Sequence, residues 1–259
     1  MTTEPDVTAE SDVTSESDVT SESDVTSETV ATDAGEARVT WHHADAPRLV
    51  LAASHGAGGG IEARDLAALA AVLPAHGVTV ALVEQPWRVA GKKVAPAPKT
   101  LDTGWRGVWP ALTKPGLPVI SGGRSAGARV ACRTATELGA YAVLALSFPL
   151  HPPGKPEKSR AEELLGAGVP TLVVQGGNDP FGKPAEFPAG DHDLVEVPHA
   201  DHGFAVPRRA DLTQEDALRV ITDAVVRWTA ALGGRGGGNA GAAPAVEGGV
   251  RAGRTAPPP

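Results

Sequence analysis

Short apolar runs of strand length alternate with segments of helical periodicity along the middle of the chain. The apolar runs are rich in β-branched residues, as is typical of strands buried in a parallel sheet. They are Leu49–Ala53, Val78–Val83, Val119–Ile120 leading into Gly122, Val143–Phe148, Thr171–Val174 and Leu194–Val197. Helical spacing of apolar residues predicts helices at Ala63–His76, Ala126–Leu138 and Gln214–Leu232. This alternation predicts right-handed β-α-β units and a mostly parallel central sheet flanked by helices.

The two ends of the chain lack this alternation. Residues 6–29 repeat an Asp-Val-Thr-Ser-Glu-Ser hexad with small variations, and four valines are its only large apolar residues. So little apolar surface does not offset an ordering cost of about 1 to 2 kcal/mol per residue. We therefore expect residues 1–37 to form a disordered acidic tail, with a parallel β-helix as the alternative. Residues 233–259, rich in Gly, Ala and Pro, predict a flexible tail, which leaves 38–232 as the folded domain.

Charge and cysteine content exclude several classes of protein. The first 30 residues carry nine acidic side chains and no Lys or Arg, so a net charge of −8 leaves the rest of the chain nearly neutral. A nucleic-acid partner is not expected, because nucleic-acid binders need clustered basic side chains. The single cysteine, Cys132, excludes an intrachain disulfide, and we favour an inert buried thiol over a second nucleophile. No 18-residue apolar run or signal-peptide pattern is present, so we expect a cytoplasmic protein without membrane contact.

The loops that follow the predicted strands carry the candidate chemistry, because ligands bind at the carboxyl ends of parallel strands. The loop at 123–127 reads G-x-S-x-G between a strand and a helix, a context that exposes Ser125 on a tight turn. Its glycines lack a Cβ and allow the strand and the helix to approach closely. A serine hydroxyl needs a base, and Asp179 and then His202 follow in the loops after later strands. This chain order is that of the α/β-hydrolases and predicts a triad of Ser125, Asp179 and His202.

Other residues compete for two of these roles. His199 is a second candidate base, but it lies directly against the predicted strand end and has less reach than His202. The competing acids are Asp191, Asp193 and Asp201, of which the first two precede the last strand and the third neighbours the base. A metal cluster built on His192 and these two histidines lacks a fourth ligand with familiar spacing. We therefore expect neither a metal nor a cofactor.

Residues near the predicted triad supply candidates for oxyanion and substrate binding. The glycine-rich loop at 55–60 follows the first strand, where α/β-hydrolases supply a backbone donor, so we expect the amides of Ala57 and Ala126 to bind an oxyanion. A phosphate loop is the rival interpretation, but no Gly-Lys-Ser/Thr follows. The substrate-binding candidates are His55, Trp87, His151 and Phe181. Trp87, Trp105 and Trp109 are assigned to an irregular stretch, where they either wall a pocket or pack the periphery.

Taken together, these loops resemble one branch of the α/β-hydrolase superfamily, the dienelactone-hydrolase-like proteins related to the testis-expressed and non-specific-lethal-complex subunit hydrolase-like domain. The matching stretches are His55–Gly59, Gly91–Lys93, Gly122–Arg129, Phe148–Pro156, Gly177–Gly182 and Asp201–Phe204. The resemblance implies a compact α/β-hydrolase domain, the same three triad residues, and a hydrolase without a defined substrate. Ala126 stands where this branch often has methionine, which keeps the oxyanion amide but alters the shape of the pocket.

Two functional classes follow from these patterns. The leading hypothesis is a serine hydrolase that cleaves an ester, thioester or amide through an acyl-enzyme. The alternative is a catalytically silent scaffold or interaction protein that keeps the fold. No large cap domain interrupts the strands, so we expect a small-molecule substrate with a small or accessible acyl group, and we favour a monomer.

Overall fold

The computed structural model describes residues 25–235, which form a central sheet of eight strands. The strands are β1 (Val25–Thr32), β2 (Gly35–His42), β3 (Leu49–Ser54), β4 (Val78–Glu84), β5 (Val119–Arg124), β6 (Ala142–Leu146), β7 (Thr171–Gly176) and β8 (His192–Val197). Their order across the sheet is β1-β2-β4-β3-β5-β6-β7-β8. β2 pairs antiparallel with β1 and β4, and the other neighbours are parallel. The predicted α/β fold with a mostly parallel sheet is confirmed.

Helices cover both faces of this sheet. They are α1 (Arg64–Val72), α2 (Pro86–Val89), α3 (Pro98–Thr113), α4 (Ala126–Leu138), α5 (Ala161–Leu165) and α6 (Gln214–Arg235). One apolar core packs α3 and α4 on the sheet, and the other packs α1 and α6 on the opposite face. Side chains on the central strands therefore enter one of two cores, and β3, β6 and β7 are buried along their whole length.

The six predicted strands and three predicted helices are present. The first helix is shorter than expected, because α1 ends at Val72 and a 3-10 turn, Leu73–His76, follows. Pro74 lies in that turn, lacks an amide hydrogen and cannot extend the α-helical hydrogen bonds. Within residues 25–235 no inserted domain separates the strands, as the sequence predicts.

The boundary of the acidic tail at residue 37 was wrong. Residues 25–37, assigned to the tail, form β1 and the start of β2. In β2 the buried positions alternate over Ala37, Val39 and Trp41, a period of two that marks a strand with one face on the core. β1 is mostly exposed and is held by main-chain pairing with β2, for which the hexads supply β-branched Val and Thr. The expectation of disorder for residues 1–24 lies outside the described residues.

The assignment of Trp105 and Trp109 to an irregular stretch was also wrong, since both lie on α3 and Trp87 lies on α2. Pro98 occupies the first turn of α3, where a missing amide hydrogen is tolerated, and Pro110 lies near its end. All three tryptophans are buried in the core on that face of the sheet.

The C-terminal boundary at residue 232 needs a smaller correction, because α6 continues to Arg235. The remainder of the predicted flexible tail, residues 236–259, lies outside the described residues. Within the described part of the chain, no helix is both long and apolar enough to cross a membrane.

Candidate active site

Ser125 lies at the turn between β5 and α4, at the carboxyl ends of the parallel strands. Its backbone has φ of 52° and ψ of −112°, a conformation that non-glycine residues rarely adopt. Such strain persists only where the surrounding structure holds it. The Ser125 amide donates to the carbonyl of Leu146 at 2.9 Å, which ties the turn to β6.

Gly123 and Gly127 allow this turn to pack against the end of β3. A Cβ added to either glycine would lie 2.5 Å from the carbonyl oxygen of Ser54. Contacts that short do not occur, so any side chain at these positions displaces the backbone around the serine. The predicted reason for the glycines, a close approach of chain segments, is therefore correct, and β3 is one of the segments.

The structure brings Ser125, Asp179 and His202 together. The His202 Nδ1–H donates to Asp179 Oδ2 at 2.8 Å, and His202 Nε2 lies 2.8 Å from Ser125 Oγ. Asp179 is completely buried, and its carboxylate also accepts from Gln175 Nε2 at 2.9 Å and from the Phe181 amide at 2.8 Å. These donors fix the carboxylate, which in turn fixes the tautomer and the orientation of the imidazole.

The competing bases and acids lie elsewhere. His199 pairs with Asp211 at 2.9 Å and not with the serine. Asp201 accepts the amides of Gly203 and Ala205, both at 2.8 Å, and so shapes the loop that carries the neighbouring histidine. Of the remaining candidates, Asp191 precedes β8 and Asp193 is its second residue. Both therefore lie at the end of the sheet opposite the serine.

A comparison with models of protein families identifies the family of the chain. The sequence model described as an alpha/beta hydrolase domain matches residues 45–230, which is more than half of the chain. The chain belongs to the α/β-hydrolase family. A search of curated proteins found no significant match.

Solved structures with the same fold include several α/β-hydrolases. A lidless serine hydrolase, XC6422 from Xanthomonas campestris, is 18% identical with a TM-score of 0.61, covering 80% of this chain and 96% of that one. The dienelactone hydrolase of Anabaena variabilis is 19% identical with a TM-score of 0.62, covering 80% and 97%. Est1E from Butyrivibrio proteoclasticus is 16% identical with a TM-score of 0.61, covering 80% and 98%. At these identities the likeness confirms the fold of the expected dienelactone-hydrolase-like branch.

The two predicted oxyanion donors of this α/β-hydrolase come from two different segments of the chain. Ala126 is the first residue of α4, and Ala57 lies in the loop after β3. That loop touches the nucleophile, because a Cβ added to Gly56 would lie 3.2 Å from Ser125 Cβ. Neither alanine amide donates to another group within residues 25–235, so both remain available to a ligand.

His55, predicted to bind substrate, is buried behind this loop. Its Nε2 accepts from the Gln85 amide at 3.1 Å, so its Nδ1–H donates to the Gly56 carbonyl at 2.8 Å. Burial lowers the pKa of His55 and keeps the ring neutral. Trp87 packs edge-on against the ring, with centroids 5.5 Å apart. His55 thus stabilises the loop, and both of its ring nitrogens already have hydrogen-bond partners.

Phe181 and His151 occupy the other flank of the triad. The Phe181 ring covers the His202 imidazole, with centroids 4.2 Å apart and planes inclined by 32°. The His151 amide donates to the Phe181 carbonyl at 3.0 Å. The His151 ring lies 3.0 Å from the Pro152 carbonyl and 3.3 Å from a Glu186 oxygen, and little of it is exposed. The proline-rich stretch therefore supports the loop that carries the stacked phenylalanine.

Sequence reasoning missed a buried ion pair beside the triad. Arg124 Nε lies 3.1 Å from Asp65 Oδ2 of α1, and a second guanidinium nitrogen donates to the His202 carbonyl at 2.8 Å. Asp65 is fully buried, and burial raises its pKa while the arginine charge opposes the rise. Two features of the sequence could have indicated this ion pair. Asp65 lies next to Leu66, on the apolar face of α1, and Arg124 lies inside the G-x-S-x-G motif.

Cys132 lies on the buried face of α4 and contacts the apolar core. Burial raises the pKa of its thiol to about 12, so the thiolate needed for nucleophilic attack does not form near neutral pH. The expectation of an inert thiol agrees with this environment.

Proposed function

We propose that this α/β-hydrolase is a serine hydrolase that cleaves an ester, thioester or amide bond through an acyl-enzyme on Ser125. The observation that carries the proposal is the continuous hydrogen-bond chain from the Ser125 hydroxyl through His202 to the buried carboxylate of Asp179. A serine hydroxyl is a weak nucleophile by itself, and this chain supplies the base and the group that orients it.

Acylation begins when Ser125 Oγ attacks the substrate carbonyl carbon and its proton passes to His202 Nε2. The carbonyl oxygen becomes an oxyanion, which accepts hydrogen bonds from the free amides of Ala57 and Ala126. The tetrahedral intermediate then collapses, the bond to the leaving group breaks, and the imidazolium gives its proton to the departing atom. Asp179 stabilises the imidazolium through its bond to Nδ1.

Deacylation repeats these steps with water as the nucleophile. His202 takes a proton from the water, whose oxygen attacks the acyl carbon bound to Ser125. Collapse of the second intermediate releases the carboxylic acid and returns the proton to the serine oxygen. Each cycle consumes one water and leaves the enzyme unchanged, so no cofactor is required.

Activity-based labelling tests the proposal directly. A fluorophosphonate probe phosphonylates an activated serine, so we expect the full-length protein to be labelled and Ser125→Ala to remain unlabelled. Ser147→Ala is the matched control, because Ser147 is a buried serine with a positive φ of 44° at the end of the neighbouring strand β6. This control is expected to label like the wild type.

Steady-state hydrolysis completes the test. We expect the wild type to hydrolyse p-nitrophenyl acetate and Ser125→Ala to lose at least about a thousandfold in kcat, as is typical of a lost triad member. Equal labelling of wild type and Ser125→Ala, or absence of labelling and hydrolysis in both, contradicts the proposal. The second result favours the scaffold hypothesis.

A further inference from the structure

A narrow crevice runs from the nucleophilic turn toward Trp87. Its lining includes Ala126 and Gly127, the two residues after Ser125, together with Trp87 and Leu101. No point in it is wide enough for a water molecule. Ligand pockets usually measure about 300 to 1,000 Å³, so this closed crevice is not a pocket for a long chain, and a substrate group that reaches it stops at its mouth.

A second, larger cavity is lined by the same two side chains, Trp87 and Leu101. It measures about 400 Å³ and shares Trp87, Leu101 and Gln85 with the crevice. Its other walls come from the turn between β1 and β2 and from α2. The indole of Trp87 and the side chain of Leu101 therefore form a partition between the closed crevice at the nucleophilic turn and a space large enough for a longer chain.

The partition is held rigidly. Trp87 is 5% exposed and packs edge-on against His55 at 5.5 Å. The His55 ring is itself fixed by two backbone groups, Gln85 and Gly56. Pro86 sets the first turn of α2 immediately before the tryptophan. Displacing the indole would disturb each of these contacts, so the crevice does not widen freely.

The position of His202 decides which part of a substrate enters the crevice. The leaving-group atom receives its proton from His202 Nε2, so the leaving group lies on the histidine side of the carbonyl carbon. Neither His202 nor Phe181 lines the crevice. Ala126, the first residue after Ser125, does line it, so an acyl chain directed away from His202 on that side of the serine meets the crevice.

We propose that Trp87 is the specificity-determining residue that limits the acyl group to the size of acetyl. The substrate class is then an acetate ester, thioester or amide, with the larger part of the molecule in the leaving group. This inference rests on the proposed serine hydrolase activity. An acetyl group presents a single methyl to the mouth of the crevice, whereas a butyryl or hexanoyl chain meets the indole.

An acyl-chain series at constant leaving group tests this inference. We expect kcat/KM of the wild type to fall by about a hundredfold from p-nitrophenyl acetate to the hexanoate, since one misfitting methylene already costs about tenfold or more. Trp87→Ala joins the two spaces, so we expect it to raise the hexanoate-to-acetate ratio at least about tenfold. Trp87→Phe is expected to shift the ratio in the same direction by a smaller factor.

Trp109→Phe is the matched control. Trp109 is buried to the same degree, 6% exposed, in the same core, but it lines neither space. We expect it to match Trp87→Phe in thermal stability and the wild type in chain-length profile. If Trp87→Ala does not fold, the pair of phenylalanine variants decides the question.

The outcomes separate this inference from the proposed function. Hydrolysis that depends on Ser125 but shows no preference for acetate in the wild type overturns the inference alone. An unchanged profile in folded Trp87→Phe and Trp87→Ala also overturns it. Absence of hydrolysis for every ester, together with absence of fluorophosphonate labelling, overturns the proposed function and the inference with it.

Discussion

Arg124 connects three parts of the molecule at the edge of the candidate site. Its guanidinium lies 3.1 Å from the buried carboxylate of Asp65 on α1 and donates to the main-chain carbonyl of His202. Neither Asp65 oxygen has a hydrogen-bond partner among the described residues, so the ion pair with the arginine supplies its compensating charge. The residue before the nucleophile thus holds the loop that carries the base, which makes it a positioning residue.

Replacing Arg124 by lysine tests this role. An ammonium group cannot reach both partners, so the hydrogen bond to the His202 carbonyl is lost or weakened while the charge is kept. We expect kcat toward p-nitrophenyl acetate to fall about tenfold, in line with a lost charged hydrogen bond, and KM to change little. Steady-state kinetics with a melting curve for each variant measures both effects.

Arg129→Lys serves as the control for this prediction. Arg129 lies on α4, after the turn, and its guanidinium pairs with Glu163 of α5 and not with the loop of the base. Its kcat is expected to match the wild type. Equal kcat losses in the two lysine variants, or a loss that appears only in KM, would show that Arg124 does not position His202.

Sequence reasoning reached the triad because chain order and strand ends constrain it. Ser125, Asp179 and His202 each follow a strand of the parallel part of the sheet, and parallel strands bring those ends to one edge of the sheet. Arg124 and Phe181 gained their roles from contacts across the fold, with Asp65 and the imidazole ring, that spacing along the chain does not encode.

At the level of elements, α3, which the sequence pattern did not predict, is part of a half-buried charge cluster. Arg133 of α4 makes two hydrogen bonds to Asp102 of α3, at 2.6 and 3.0 Å, and one to Glu163 of α5 at 2.9 Å. Arg129 adds two more to Glu163. Proline at both ends and glycine within α3 weakened its helical pattern, and these charge pairs, with the buried tryptophans, override that local preference.

Glu163→Gln tests whether this cluster joins the three helices. Burial alone raises the pKa of Glu163, but hydrogen bonds and charges from Arg129 and Arg133 outweigh it and lower the pKa below the ordinary value of 4.5. Because the folded pKa lies below the unfolded one, the stabilisation is complete above pH 4.5 and is lost as the pH falls through the lowered value. We expect the variant to lose about 1.5 to 3 kcal/mol of unfolding free energy at pH 7.

Urea denaturation at several pH values measures this loss. The difference in unfolding free energy between the wild type and Glu163→Gln is expected to shrink as the pH falls through the lowered pKa of Glu163, where the wild-type carboxylate also becomes protonated. Glu162→Gln is the control, because the neighbouring Glu162 is exposed and makes no ion pair within residues 25–235. A difference in unfolding free energy that stays constant with pH, or an equal loss in Glu162→Gln, argues against a stabilising role of the cluster.

At the scale of the whole molecule, the sequence pattern predicted strands β3 to β8 and missed β1 and β2 at one edge of the sheet. Central strands are buried on both faces and read as continuous apolar runs, whereas β1 at the edge carries mostly exposed polar residues. Main-chain pairing over the whole of β1 stabilises it, and that pairing leaves no apolar signal. The acidic repeat therefore concealed a strand that begins at Val25.

Truncation at two points tests whether this edge belongs to the folded domain. β1 covers α3, where Thr32 lies against Gly107, and its Glu28 accepts the Trp41 indole N–H at 3.0 Å. Removing residues 1–34 exposes β2 as a new edge and uncovers part of this core, so we expect Tm to fall by about 5 °C or more. Removing residues 1–24 alone is expected to leave Tm unchanged, because every contact that β1 makes within residues 25–235 remains. If both truncated proteins melt at the same temperature as the full chain, β1 contributes nothing to the stability of the domain. If both melt well below the full chain, residues before Val25 contribute to the fold as well.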